Sequence, residues 1–341
     1  MKVQKIRPFG KQTPWGWGIE PVHGCNLRCG HCSTRLYEPG VRQYMTEETW
    51  INTFNVVKEV SPTCRIDLCV AGEPTLHPDL PKFLKIAREI SPLSQIQITT
   101  NGTMLASGKV TYDQLFTAGA NFIYVDMYAP QEFHINLAKI SGYPYYEYYK
   151  PSTEKRLSPW TYHGDPNIKQ IVLQEQPDNW PKSRYRAGLL GTWYNHLDWD
   201  AAAKYGLKPV TQPITRRCNQ PFVYVPVHCS GNYLLCCQDN WGETAGLFGN
   251  VSEGVEGFKK YWFGKEMQTI RGRLHNKNRK DTSYCSRCCI TFSRCDLKYR
   301  TEDDLKVYYD GEWKNLDGSL LPPFGADMSW KTAVSRLHDK P

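Results

Sequence analysis

From Thr46 onward the apolar positions recur with two alternating periods. Thr46, followed by Glu47 and Glu48, can cap a helix in which Trp50, Phe54 and Val57 repeat on one face. Ile66, Leu68 and Val70 alternate with other residues as a strand does, and Leu80, Phe83, Leu84, Ala87 and Ile90 form a second helical stripe. A strand over Ile96 to Thr100 then meets the turn pair Asn101-Gly102. Tyr112 to Ala118 reads as helix and Phe122 to Met127 as strand. Strand and helix in steady alternation predict a parallel sheet covered by helices, an α/β layer or barrel. Further on, Phe222 to Val227 and Tyr233 to Leu235 read as strands around a hairpin turn, Ser230-Gly231-Asn232.

Composition narrows the class. The chain has 341 residues and is 40% hydrophobic, enough for one large barrel with an appendage or for two smaller domains. It carries 13 cysteines, yet Met1 to Gly10 shows no apolar signal-like run and the chain is long for a disulfide scaffold. The expectation is a cytoplasmic protein whose cysteines are reduced thiols and metal ligands. No run of eighteen apolar residues occurs, so no membrane span is predicted. Formal net charge is +8, with basic residues gathered at Arg271, Arg273, His275, Lys277, Arg279 and Lys280. Such a run can attract a polyanion, but it is more commonly a solvated face.

The densest chemistry is Cys25-Asn26-Leu27-Arg28-Cys29-Gly30-His31-Cys32, three cysteines after the apolar stretch Ile19 to Val22. Three thiolates at this spacing can hold three corners of a [4Fe-4S] cluster and leave one iron open. The same thiolates with His31 or His23 can also bind one zinc tetrahedrally. Just after the Ile66 to Val70 strand comes Ala71-Gly72-Glu73-Pro74-Thr75-Leu76, and the next two strands end in Thr100-Asn101 and at Asp126. Ligands of parallel sheets sit beyond the carboxyl ends of the strands, so these residues should converge on one crevice.

Together these motifs resemble the radical S-adenosylmethionine (SAM) superfamily. The octet matches its cluster signature and Gly72-Glu73-Pro74 its "GGEP" turn, with alanine at the first position. The resemblance implies a partial (β/α)6 radical SAM barrel in which Cys25, Cys29 and Cys32 hold the cluster. It further implies that His31, Gly72, Glu73, Pro74, Thr100, Asn101 and Asp126 contact SAM, with His31 standing where an aromatic ring is usual. An electron from the cluster would cleave SAM to a 5'-deoxyadenosyl radical that abstracts hydrogen from substrate, with a flavodoxin or ferredoxin as reducing partner.

A second cysteine set follows: Cys218, Cys236 and Cys285-Ser286-Arg287-Cys288. Gly231 stands five residues before Cys236, and this spacing looks like the C-terminal cysteine-rich auxiliary-cluster (twitch/SPASM-like) domain of radical SAM enzymes. Gly246 to Val251 and Tyr185-Arg186-Ala187-Gly188 fit the same branch. The resemblance implies one auxiliary [4Fe-4S] cluster on Cys218, Cys236, Cys285 and Cys288, two clusters in all. Adjacent Cys237 and Cys289 leave each register open by one, and Cys295 is unassigned; structural zinc would need the same four thiolates. Cys64, Cys69 and Cys229 read as buried small hydrophobes.

The expected layout is an N-terminal extension at 1–16, the barrel at 17–212, the auxiliary domain at 213–300 and a polar tail at 301–341. The extension looks too short for a peptide-leader domain. Tyr143 to Tyr149 with Trp160 and Tyr162 read as loop packing over the barrel mouth or as an aromatic wall, and Trp193, Asn195, His196, Asp198 and Trp199 as substrate contact or interdomain seam. Three substrates compete: an amino-acid-modified pyrimidine in (viral) DNA undergoing isomerisation, a ribosomally made peptide, and a small amino sugar undergoing oxidation. Positive charge suits the first. A non-enzymatic two-zinc nucleic-acid-binding protein is the alternative class, and it gives the Gly72-Glu73-Pro74 turn no role.

Overall fold

The computed structural model describes residues 14–27, 40–127, 131–148, 157, 159, 162–174, 218, 220–239, 242–286, 313–314 and 320–321. Nine of its strands are β1 (Gly16–Ile19), β2 (Val22–His23), β3 (Gln43–Tyr44), β4 (Arg65–Leu68), β5 (Gln95–Thr100), β6 (Phe122–Asp126), β7 (Tyr145–Glu147), β8 (Gln170–Gln174) and β9 (Tyr224–Val227). Seven form one sheet in the order β7-β8-β6-β5-β4-β1-β9, and every pairing in it is parallel. Among the described residues β7 and β9 are edges, so the sheet is an open, partial barrel. β2 and β3 make a separate antiparallel pair beside the carboxyl ends.

The helices are α1 (Glu47–Val60), α2 (Leu80–Ile90), α3 (Thr103–Ala106), α4 (Tyr112–Ala118), α5 (Gln131–Ile140), α6 (Gln220–Val223), α7 (Gly254–Phe263), α8 (Lys265–His275) and α9 (Ser283–Ser286). Thr46 caps α1, accepting the Thr49 N–H at 3.2 Å, and Thr111 with Gln114 builds a capping box on α4. Both helices begin where a polar oxygen meets otherwise unpaired amides. Trp50 of α1 packs against Phe83 of α2 with ring centroids 5.1 Å apart and donates its indole N–H to the Phe83 carbonyl at 2.8 Å.

Strand alternation divides the interior into two faces. Trp17, Ile19, Ile66, Leu68, Ile96, Ile98, Ile123, Val125, Ile171, Leu173, Val225 and Val227 are buried in the main core with the helices. The opposite face carries Arg65, Asp67, Gln97, Tyr124, Gln174 and Tyr224 in place of a continuous apolar layer. Phe122, Tyr124, Tyr146 and Val172 form a smaller cluster at one end of it.

Several expectations change. The tyrosine-rich stretch is no simple loop: Tyr145–Glu147 is the edge strand β7, paired with β8, and among its described residues only Tyr146 is buried. Tyr162 lies outside the strand and donates its hydroxyl to the Leu93 carbonyl at 2.8 Å. The basic run is not one surface patch, because Arg271 and Arg279 are buried. The Arg271 guanidinium lies 4.1 Å from the Trp262 ring centroid and donates to the carbonyls of Pro221 and Trp262. Cys64 and Cys229 are buried as expected, whereas Cys69 is half-buried and donates to the Gly72 carbonyl. Within the segment expected to be a tail, β10 (Trp313–Lys314) and β11 (Leu320–Leu321) pair antiparallel. No helix among the described residues is long and apolar enough to cross a membrane.

Candidate active site

The site forms where β1, β4, β5 and β6 end. Glu20, just past β1, is 1% exposed and accepts the Gly72 N–H at 3.3 Å. The next amide, Glu73 N–H, donates to the Gly24 carbonyl at 2.9 Å, so the turn after β4 is tied to the segment entering the cysteine loop. A Cβ at position 72 would lie 1.8 Å from the Val22 carbonyl oxygen. Only glycine lets the two backbones approach this closely.

Glu73 organises the other side of the turn. Its Oε1 accepts from the Thr100 hydroxyl at 2.6 Å and the Thr75 N–H at 3.0 Å, and its Oε2 accepts the Asn101 N–H at 2.7 Å. The Thr75 hydroxyl also donates to it. Burial pushes the Glu73 carboxyl above its ordinary range, and the hydrogen bonds from Asn101, Thr100 and Thr75 pull in the opposite direction. Both carboxylate oxygens therefore hold the protein's own backbone, and Glu73 acts as the brace of the crevice.

Asn101 continues the chain of contacts. Its side-chain amide donates to Cys25 Sγ at 3.5 Å and Asn26 Oδ1 at 3.0 Å, while its Oδ1 accepts the Thr103 N–H at 3.0 Å and the Thr103 hydroxyl at 2.7 Å. Asn26 returns a bond to Thr103 Oγ1 at 2.7 Å. Gly102 makes this corner with φ +76°, a conformation that favours glycine, and its missing side chain leaves room for the buried His134 ring of α5. Asp126 ends β6 one register step beyond the Val125–Thr100 pair, beside Asn101.

Of the expected SAM contacts, Gly72, Glu73, Pro74, Thr100, Asn101 and Asp126 are thus gathered at adjacent strand ends. Cys29, His31 and Cys32 lie outside the described residues, as do Cys288, Cys289, Cys295, Tyr185 to Gly188, Trp160 and the stretch from Trp193 to Trp199. Glu20, Asn26, Thr75 and Thr103 were not singled out by sequence. Glu20 carried a signal, an acidic residue closing an apolar strand just before the cysteine loop.

The described cysteines suit iron ligation. Cys25, Cys218, Cys236 and Cys285 are each half-buried. Cys25 Sγ accepts the Leu27 N–H at 3.3 Å, and Cys236 Sγ accepts the Gln238 N–H at 3.3 Å. The same amide-to-sulfur bond from two residues ahead thus recurs at a candidate ligand of each cluster, and such bonds stabilise thiolate and tune cluster potential. Burial raises the Cys218 thiol, while the Arg279 charge lowers it. Cys237 lies close enough to Cys218 and Tyr224 for their charges to interact.

Below the strand ends, Arg65 pairs with Asp67 at 3.0 Å and Tyr224 donates its hydroxyl to Asp67 Oδ2 at 2.8 Å. The Tyr224 side chain packs over Gly18, where a Cβ would lie 2.5 Å from its hydroxyl oxygen and 2.8 Å from its ring. Tyr124 donates to Gln174 Oε1, and Gln97 Nε2 donates to Thr99 Oγ1 at 3.1 Å. These groups give the interior floor both donors and acceptors. The alternation of Arg-Ile-Asp-Leu and Gln-Ile-Gln-Ile-Thr along β4 and β5 announced a polar inner face.

Comparison with known proteins places this geometry. The model of the radical SAM superfamily matches residues 19–154, and that of the SPASM iron-sulfur cluster-binding domain matches 218–289. A 7,8-dihydro-6-hydroxymethylpterin dimethyltransferase of Methanocaldococcus jannaschii is 34% identical over 125 residues, 35% of this chain and 23% of that protein. A GTP 3',8-cyclase of Haemophilus influenzae is 30% identical over 131 residues, 38% of each chain. The matched region thus spans well under two thirds of either curated relative. Among solved structures, BtrN in complex with AdoMet and 2-DOIA superposes with TM-score 0.58 at 17% identity, covering 82% of this chain and 94% of BtrN. An open conformation of BtrN gives 0.52 at 16% identity, covering 84% and 97%. With the cysteine loop, the strand-end turn and Cys218, Cys236, Cys285 and Cys288 all falling inside the two matched regions, the chain belongs to the radical SAM superfamily, in its SPASM/twitch branch, whose cofactors are S-adenosylmethionine and [4Fe-4S] clusters, an auxiliary one included.

Proposed function

We propose that this chain is a radical SAM enzyme that abstracts hydrogen from a small polar moiety held against the inner face of its barrel. The observation that carries the reading is the hydrogen-bonded circuit from Glu20 through Gly72, Glu73 and Asn101 to Cys25, which rigidly joins the cysteine loop to the ends of three strands. Cys25, Cys29 and Cys32 would hold the SAM-binding cluster, and Cys218, Cys236, Cys285 and Cys288 the auxiliary one. When bound, cluster and SAM supply one-electron reductive cleavage of a carbon-sulfur bond and a 5'-deoxyadenosyl radical. The chain's own part is positional. Asn101 donates to the Cys25 sulfur, Glu73 fixes the Thr100 and Asn101 backbone, and Gly72 keeps the turn close to the loop. Arg65, Asp67, Gln97, Tyr124, Gln174 and Tyr224 orient the reacting group by hydrogen bonds. A flavodoxin or ferredoxin would deliver the electron.

For the substrate, the reading we put first is an amino-acid-modified pyrimidine in DNA, isomerised after hydrogen abstraction. The amide, carboxylate and guanidinium groups of the floor suit a base edge with an amino-acid adduct, and the net charge of +8 suits phosphates. The second reading, oxidation of a small amino sugar, is favoured by the fold shared with BtrN and by the one auxiliary cluster that the spacing of Cys218, Cys236, Cys285 and Cys288 leads us to expect. The test is anaerobic turnover with each substrate deuterated at the reacting carbon. Deuterium in 5'-deoxyadenosine identifies the substrate, and no deoxyadenosine with any of them refutes the enzyme reading. Binding of the DNA substrate should weaken steeply with salt, since phosphate contacts release counterions; salt-insensitive binding excludes it.

A further inference from the structure

Glu20, His23 and His228 lie together behind the cysteine loop, although His228 comes from the hairpin after β9, Glu20 precedes β2 and His23 ends it. His23 Nδ1 is 3.2 Å from both Glu20 oxygens, and His228 Nε2 is 3.7 Å from Glu20 Oε2. One ligand atom from each residue falls within 4.8 Å of the others. The imidazole centroids are 4.8 Å apart. A cation about 2.0–2.1 Å from nitrogen and oxygen donors holds those donors about 3–3.5 Å apart. The Glu20–His23 edge already has that length, at 3.2 Å, and the His228–Glu20 edge, at 3.7 Å, is slightly longer.

We propose that these three side chains form a binding site for one first-row divalent cation, which fastens the C-terminal hairpin to the loop that carries Cys25. Two imidazoles and one carboxylate are a donor set suited to zinc or to ferrous iron with open positions. The outer partners are in place as well. His228 Nδ1 lies 2.8 Å from Ser230 Oγ, a contact that can fix the ring with Nε2 turned to Glu20. Glu20 is itself anchored by the Gly72 N–H. The Glu20 carboxylate is 2% exposed, while the His23 and His228 side chains are 14% and 10% exposed, so a cation has access from the imidazole side. The site shares no ligand with either iron-sulfur set and does not depend on the enzymatic reading.

The test uses reconstituted protein with its clusters filled, so that the cysteines are occupied. After equilibrium dialysis against Zn²⁺, metal analysis should find about one zinc per chain above the cluster iron. His228→Gln and His23→Gln should each lower zinc affinity at least tenfold with iron content unchanged, and Ser230→Ala should weaken it by about tenfold. Diffraction from wild-type crystals above and below the zinc edge should place the ion between the three residues. Wild-type affinity in both histidine variants, or no zinc peak at the triad, overturns the proposal and leaves a hydrogen-bonded ion pair. The edge experiment decides even if a variant misfolds.

Discussion

Asn101 donates its side-chain amide to the sulfur of Cys25 at 3.5 Å, across a chain separation that the parallel pairings of β1 with β4 and β4 with β5 close. An N–H aimed at a cluster sulfur stabilises its negative charge and raises the reduction potential. Asn101→Ala should therefore make the SAM-binding cluster harder to reduce. One such hydrogen bond is worth about 0.5–1.5 kcal/mol, so deoxyadenosine release should slow about three- to tenfold. Potentiometry and single-turnover assays at fixed dithionite would check this, and an unchanged potential would rule out the assigned role.

Replacing Cys25, Cys29 and Cys32 together by alanine should reduce iron from about eight to about four per chain and abolish deoxyadenosine. A colourless wild-type protein holding zinc alone would sink the two-cluster reading. Parallel Cys236→Ala and Cys237→Ala variants resolve the register: whichever loses the second set of irons carries the ligand.

At position 72 the forecast is steric. Gly72→Ala puts a methyl 1.8 Å from the Val22 carbonyl oxygen, so β2 or the turn must shift. Overpacking of this kind costs about 1–3 kcal/mol. Thermal melts should show that loss, and cluster content at the cysteine loop should fall with it. Gly108→Ala is a poor control because its φ is +67°, so Ala106→Ser on the half-buried end of α3 serves better.

Arg271 and Lys280 should respond in opposite ways. Arg271→Leu removes a buried guanidinium from the Pro221 and Trp262 carbonyls and should cost about 2–3 kcal/mol of stability. Lys280 is exposed; Lys280→Gln should leave stability alone and, if DNA is bound there, lower the salt slope of binding by about one. Equal effects in either assay would contradict the split of this basic run into core and surface.

Burial pushes the Cys64 thiol up from its ordinary range to about 12. The folded chain keeps it protonated where the unfolded chain ionises, so its contribution to stability is full below pH 9 and is lost as pH rises toward 12. At pH 8 iodoacetamide should modify half-buried Cys69 well before Cys64, as read by peptide mass spectrometry. Cys64→Ser should reduce the alkaline stability loss by the share that Cys64 contributes, leaving that of Cys229 and the buried tyrosines.

Much of the scaffold was legible because its signals are local. Thr46 and Thr111 cap helices through side chains three residues from their targets, and the Tyr112 to Ala118 helix has the bounds its periodicity predicted. The Gly72-Glu73-Pro74 turn followed from its place after a strand. What sequence could not supply was partnership at long range. Nothing near Glu73 says that its carboxylate will be consumed by Thr75, Thr100 and Asn101, and nothing near His228 says that it will meet His23. Arg271 was misread because an amphipathic helix with several cations gives no local sign of which one stacks on Trp262. Tyr145–Glu147 was misread because three residues after Tyr143-Pro144 are too few to show a period, and the pairing with β8 decides the matter.

The position of β9 sets a timetable for biosynthesis. Gly16 pairs with Arg65 on one side and with Tyr224 on the other, so β1 gains its second neighbour only after the chain has grown by about two hundred residues. At ribosomal rates of about 5–20 residues per second, that is a wait of roughly 10–40 s. Through it the cysteine loop hangs from a strand paired on one edge alone, with its thiols open to oxidation as well as to iron donors. Oxygen exposure during synthesis should therefore damage the protein more than the same exposure after release, since the last strand of the sheet is also what seats the loop's supporting strand.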